Sequence, residues 1–276
     1  IRFEPDAAYR EGLDADLQRL VDDHPRTVFF LEDPDVPVDD MRASTGLLFA
    51  RLEDLMDLWP RLFDVHEIPV HSDRETPFEW DLLANHVRPL NALVIADKYA
   101  YNEIQRGIFD QNTGRLLSAL LPEKNPEVPV HVTIVTNLEG LFESDAVTPS
   151  SVYDEVRNFV EQIRPNLSFH LTLLGYREKR HKDRFVATNY SELSSNDSFA
   201  FFQDGELKKE TKIIHLPSSK HGTSTFRQLK RIAELSANPP YVADYHSEER
   251  GGKILLAAGD NINRLLDHVR QQSAEV

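Results

Sequence analysis

No cysteine occurs among the 276 residues of the chain. Its absence excludes disulfides, thiol nucleophiles and cysteine-ligated zinc or iron–sulfur centres, and it fits a reducing compartment, most simply the cytoplasm. Long apolar runs are missing too: nothing approaches the ~20 residues that a membrane span needs. The segment starting at Ile1 is acidic and unlike a secretory leader, so a cytoplasmic protein without a membrane span is expected. There is no lysine before Lys98, and residues 1–75 hold 19 acidic residues against 8 arginines, a charge of about −11 out of a formal −15. That acidity argues against a protein coated in nucleic acid and makes 1–75 a candidate surface for a basic protein partner. The 11 histidines show no HExxH and no close pair at ligand spacing, so neither a structural metal nor a cofactor is expected.

What is present is 40% hydrophobic and 28% charged, enough for a sizeable core in one large or two modest domains. RTVFFLE, 26–32, has the content of a buried strand. Leu47, Leu48, Leu52, Leu55, Met56 and Trp59 recur at helical spacing and predict an amphipathic helix ending near Pro60. The polar HSDRETP, 71–77, is read as a boundary between an acidic α/β N-terminal region, 1–75, and a larger α/β domain, 76–276. Strand and helix patterns then alternate: NALVIAD, GRLLSALLP, VPVHVTIVT, SSVYDEVRNFVEQIRP and LSFHLTLLGY. Such alternation predicts a parallel or mixed sheet covered by helices, with ligands gathering beyond the carboxyl ends of the strands. FVATNY, SFAFF and TKIIHLP follow as short strands, the last two joined through Asp204-Gly205, then a helix from FRQLKRIAELS and another from NINRLLDHVRQQ.

Arg177–Arg184 carries five Lys/Arg in eight positions, with Lys208, Lys209, Lys212 and Lys220 further on. In RHKDRFVATNY, 180–190, strand alternation puts Lys182, Arg184, Val186 and Thr188 on one face and His181, Asp183, Phe185, Ala187 and Asn189 on the other. The pattern resembles the phospholipase D signature His-x-Lys-x4-Asp followed by Gly-Ser, with Lys182, Arg184 and Asn189 at the three key positions and Ser194, Ser195 and Ser198 in the polar stretch beyond. A closer likeness is to the phospholipase D-like domain that follows MIT domains, and to related bacterial domains. VIADKY, HVTIVT and KDRFVATNYSELSSNDSFAFF are similar to its early strand, its central strand and its His-Asp-Arg strand with the following loop.

That resemblance, over about residues 80–220, implies a phospholipase D-like mixed sheet flanked by helices, with a smaller acidic α/β N-terminal region. It also implies a prokaryotic, defence-type complex as the setting. Enzymes of this kind need a histidine nucleophile and a second histidine as general acid, from one chain or a homodimer. Here Lys182 stands at the nucleophile position, and an ordinary lysine is protonated at neutral pH. What the stretch offers is charge-assisted donors for a phosphate-containing ligand, nucleic acid or a phosphorylated headgroup, from Lys182, Arg184, Asn189, Ser194, Ser195 and Ser198, with Asp97 and Lys98 at the end of a neighbouring strand. The expectation is binding without cleavage. One alternative is a dimeric, metal-independent nuclease or phosphodiesterase using His181 or His221; the other is an acidic, purely protein-binding subunit. SSKHGTST, 218–225, is read as a helix N-cap, and His131 and His170 as satisfied residues inside strands.

Overall fold

The computed structural model describes residues 17–73, 75, 77–137, 149–176, 184–236 and 254–274. The N-terminal layer runs α1 (Leu17–Asp23), β1 (Val28–Leu31), α2 (Val38–Thr45), β2 (Leu48–Arg51), α3 (Leu55–Phe63) and β3 (His66–Val70). β1 and β2 pair in parallel, Val28 opposite Leu48 and Leu31 opposite Arg51. Phe29 stacks on Phe49 with ring centroids 4.8 Å apart, in a core shared with Val21, Leu31, Val38 and Leu47. The helix expected from residue 47 is therefore a strand first and a helix only from Leu55. Leu48, Phe49 and Ala50 are all fully buried, and a run buried on both faces carries no period that separates strand from helix. Pro60 lies inside α3 and does not end it.

The remainder runs α4 (Ala84–Val87), β4 (Ala92–Ala96), α5 (Ala100–Gln105), α6 (Thr113–Leu120), β5 (Val130–Asn137), α7 (Pro149–Ile163), β6 (Phe169–Tyr176), β7 (Phe185–Thr188) and β8 (Ser191–Ser195). After these come β9 (Phe202–Gln203), β10 (Glu206–Leu207), β11 (Thr211–Pro217), α8 (Ser218–Ser236), β12 (Ile254–Gly259) and α9 (Arg264–Ala274). Eight strands form one sheet in the order β12-β6-β5-β4-β7-β8-β11-β3. β4, β5 and β6 are parallel, and the other pairings are antiparallel. The α/β expectation, a mixed sheet flanked by helices, holds. Alternation along the strands sorts two cores: Leu93, Ile95 and Val186 pack with residues of α5, α6 and α7, while Ala92, Val94, Phe185 and Ala187 pack with α8 and α9.

Three local readings differ from expectation. SELSS, 191–195, is a strand even though it is polar. The Asp204-Gly205 turn, φ 55° and 78°, joins the two-residue strands β9 and β10 instead of SFAFF and TKIIHLP. SSKHGTST forms the opening turns of α8 and does not precede it as a cap.

Long-range bonds lock the N-terminal layer to the sheet. The Tyr190 hydroxyl donates to the Thr27 carbonyl at 3.0 Å and accepts from the Leu48 N–H at 2.7 Å. Arg264, its side chain 1% exposed, donates to Asp22 at 2.6 Å. β3 comes from before residue 75 yet forms an edge of the eight-stranded sheet, with His66 opposite His215 and Val70 opposite Thr211. Where α2 ends, Gly46 adopts φ 67° and its N–H bonds back to Arg42, while an added Cβ would lie 2.5 Å from the Leu90 carbonyl oxygen.

Candidate functional site

β4 ends in a carboxylate that is wholly buried. Asp97 Oδ1 accepts from the Tyr99 N–H at 2.8 Å and Oδ2 from the Phe199 N–H at 2.6 Å, while the Ser198 hydroxyl reaches both oxygens at 3.0 and 2.8 Å. Burial raises the Asp97 pKa; these bonds and the Arg184 charge oppose the rise. The Thr136 hydroxyl, at the end of β5, accepts from the Tyr101 N–H at 3.2 Å and steadies the same turn. Asp97 is thus a tie that pins the start of α5 to the 198–199 segment.

The turn and that segment enclose a cavity of about 310 Å³. Its polar wall is Glu103, Arg106, Arg184, Asp197, Ser198 and Lys209. Arg184, the residue before β7, donates through Nη1 to the Asn196 carbonyl at 2.6 Å, and its guanidinium carbon lies 5.7 Å from the Tyr99 ring centroid. Its Nε is shielded from solvent and has no hydrogen-bond partner. Lys98 reaches the same ring at 5.3 Å, and Lys209 pairs with Asp197 at 3.0 Å. Glu103, 1% exposed, accepts from the Thr113 N–H on Oε2 at 2.9 Å, whereas Oε1 has no partner. Burial, then the neighbouring Asp97 charge, drives its pKa well above the ordinary carboxylate range. Oε1 is thus a buried carboxyl oxygen left without a partner beside the cavity.

Of the residues expected from the sequence, Arg184 and Ser198 line the cavity, while Asp97 supports it from behind through Ser198 and Lys98 lies over the outer Tyr99 ring. Ser195 lies beside Arg184 in the β7–β8 ladder, its N–H 3.1 Å from the Arg184 carbonyl, but its buried Oγ does not line the cavity. Ser194 faces the other side of the sheet with Phe185. Asn189 is fully buried and spends its amide on structure: it accepts from the Asn91 and Ala92 N–H groups at 3.0 and 3.1 Å and donates to Pro25 and Asn91 at 2.6 and 3.0 Å. His221 lies on α8, across the sheet from the cavity. His181 and Lys182 lie outside the described residues.

Glu103 and Arg106 were not legible beforehand. The available signal was a carboxylate between the apolar positions Ala100 and Ile104 of a short helix, where a charge is costly unless it is used. A larger hollow of about 580 Å³ is bounded by Arg26, Phe30, Phe63, Ser218, Thr223 and His268. Its Arg26 is already bonded to the Ser218 hydroxyl at 2.8 Å, and it is lined in part by Ser218, Ser219 and Thr223 of the SSKHGTST stretch. Compared with known proteins, the chain matches no family model and no curated protein.

Proposed function

We propose that the cavity beyond β4 binds a phosphate-containing ligand and does not cleave it. The observation that carries this reading is the Arg184 guanidinium, held over Tyr99 with one edge fixed on Asn196 and its Nε unpartnered, in a hollow shared with Arg106 and Lys209. Charge-assisted N–H donors converging on a partly enclosed space suit phosphate oxygens. Among the described residues of the cavity no histidine stands, and the Ser198 hydroxyl is already committed to Asp97. The mixed sheet, with β7 beside β4, supports the phospholipase D-like resemblance, and a binding subunit of a prokaryotic complex is the setting that resemblance favours.

Titration calorimetry with inorganic pyrophosphate and a 5′-phosphorylated oligonucleotide tests the reading. Arg184→Ala should weaken binding by about 1 to 3 kcal/mol, and His221→Ala should leave it unchanged. Binding indifferent to Arg184→Ala and Arg106→Ala, or turnover of a chromogenic phosphodiester that His221→Ala abolishes, would sink it.

A further inference from the structure

Three histidines far apart in sequence meet at the β11–β3 edge of the sheet. His66 on β3 and His215 on β11 are direct cross-strand partners, and His86 comes in from α4. Ring centroids are 5.7 Å apart for His66 and His215, 5.1 Å for His86 and His215, and 5.3 Å for His66 and His86. One ligand atom from each lies within 4.8 Å of the others. We infer that His66, His86 and His215 form a binding site for a divalent ion of the zinc class, with three imidazole ligands and a fourth position open to water or an anion.

The strongest support is His215. It is 0% exposed, and neither ring nitrogen has a hydrogen-bond partner. The His86 main chain comes near enough to favour its protonated form, but not in hydrogen-bond geometry. A buried imidazole with two idle nitrogens is an unmet cost, which coordination through one of them would offset. Tetrahedral zinc with Zn–N bonds of about 2.0–2.1 Å sets ligand nitrogens about 3.4 Å apart, so the cluster needs only to tighten modestly. His66 already has an orienting partner: Nε2 lies 3.1 Å from the Pro60 carbonyl and must donate to it, leaving the lone pair on Nδ1. His66 and His86 are half-buried, so one side of the cluster reaches solvent.

The experiment uses the full chain without a histidine tag, saturated with Zn2+, desalted and analysed for metal, with Co2+ spectra in parallel. About one ion per chain and the intense visible bands of tetrahedral Co2+ are expected. His86→Ala and His215→Ala should each lower Zn2+ affinity by more than about tenfold and abolish the rise in melting temperature that Zn2+ gives the unaltered chain. His86 lies on a short, half-exposed helix, so its variant keeps the test alive should His215→Ala fail to fold. Equal zinc retention by the chain and His86→Ala, no ion kept after desalting, or an octahedral Co2+ spectrum would overturn the inference by leaving only surface histidines as ligands.

Discussion

Asn189 sits where its amide cannot be exchanged for a carboxylate. Its amide must both donate and accept, since the Pro25 carbonyl and the Asn91 side-chain oxygen face its nitrogen. Asn91 cannot reverse its own amide without losing its bond to the Thr45 carbonyl at 2.7 Å. Asn189→Asp would set a carboxylate against two acceptors in a buried site, so urea unfolding should show a loss of about 2 to 4 kcal/mol at neutral pH. Glu103 gives a prediction of pH dependence. The folded carboxyl holds its proton more tightly than the unfolded one, so its contribution is full below about pH 4.5 and falls as pH rises toward the folded value. Glu103→Gln keeps the shape and removes the titration, and stability should then decline less with rising pH. Asp97 titrates in the same sense and remains in the variant. Asp97 and Arg184 could be read from the sequence because strand ends and basic runs are local. Glu103 could not, because an acid on a helix is solvent-facing by default and only the packed fold shows otherwise.

At the scale of elements, the central strands were readable because β4 is a continuous apolar run and β5 is rich in β-branched residues, and the turn, though not its flanking strands, because Asp204-Gly205 suits two positive φ angles. β8 escaped. Its Glu192 is buried, and the Thr225 hydroxyl, 33 residues away on α8, donates to it at 2.7 Å. No local pattern encodes that partner. The junction of α2 with β2 is equally tertiary. Gly46→Ala would place a methyl 2.5 Å from the Leu90 carbonyl oxygen and 2.7 Å from the Asn91 Cβ, on a backbone at φ 67° that side chains resist. A loss of about 1 to 3 kcal/mol in thermal or urea unfolding is expected, with Gly205→Ala, where nothing crowds, as the milder control.

Over the whole molecule the acidic N-terminal layer pairs with cations of the remainder. Asp22 meets Arg264, Glu67 meets Lys212 at 2.6 Å, and Asp64 lies 4.0 Å from Lys220. Exposed pairs like the last two contribute little individually, so apolar packing and the buried bonds of Tyr190 and Asn189 do most of the joining. Deleting residues 1–75 would remove β3 from the sheet edge and uncover Asn189, Tyr190 and Leu48-facing surface at once. Circular dichroism should show the truncated chain losing its cooperative transition. A folded fragment with heightened, salt-sensitive affinity for polyanions would instead establish residues 76–276 as an independent unit.

The Tyr190 hydroxyl also bears on the order in which a ribosome can complete this protein. β1 and β2 are an isolated parallel pair, a kind of sheet with little stability alone. The side chain that clasps them is made 142 residues after Leu48. At ~5–20 residues per second, the nascent N-terminal segment waits on the order of 7 to 30 seconds for its clasp. Its dense negative charge, repelling neighbouring nascent chains through that interval, serves solubility during synthesis as well as the finished surface.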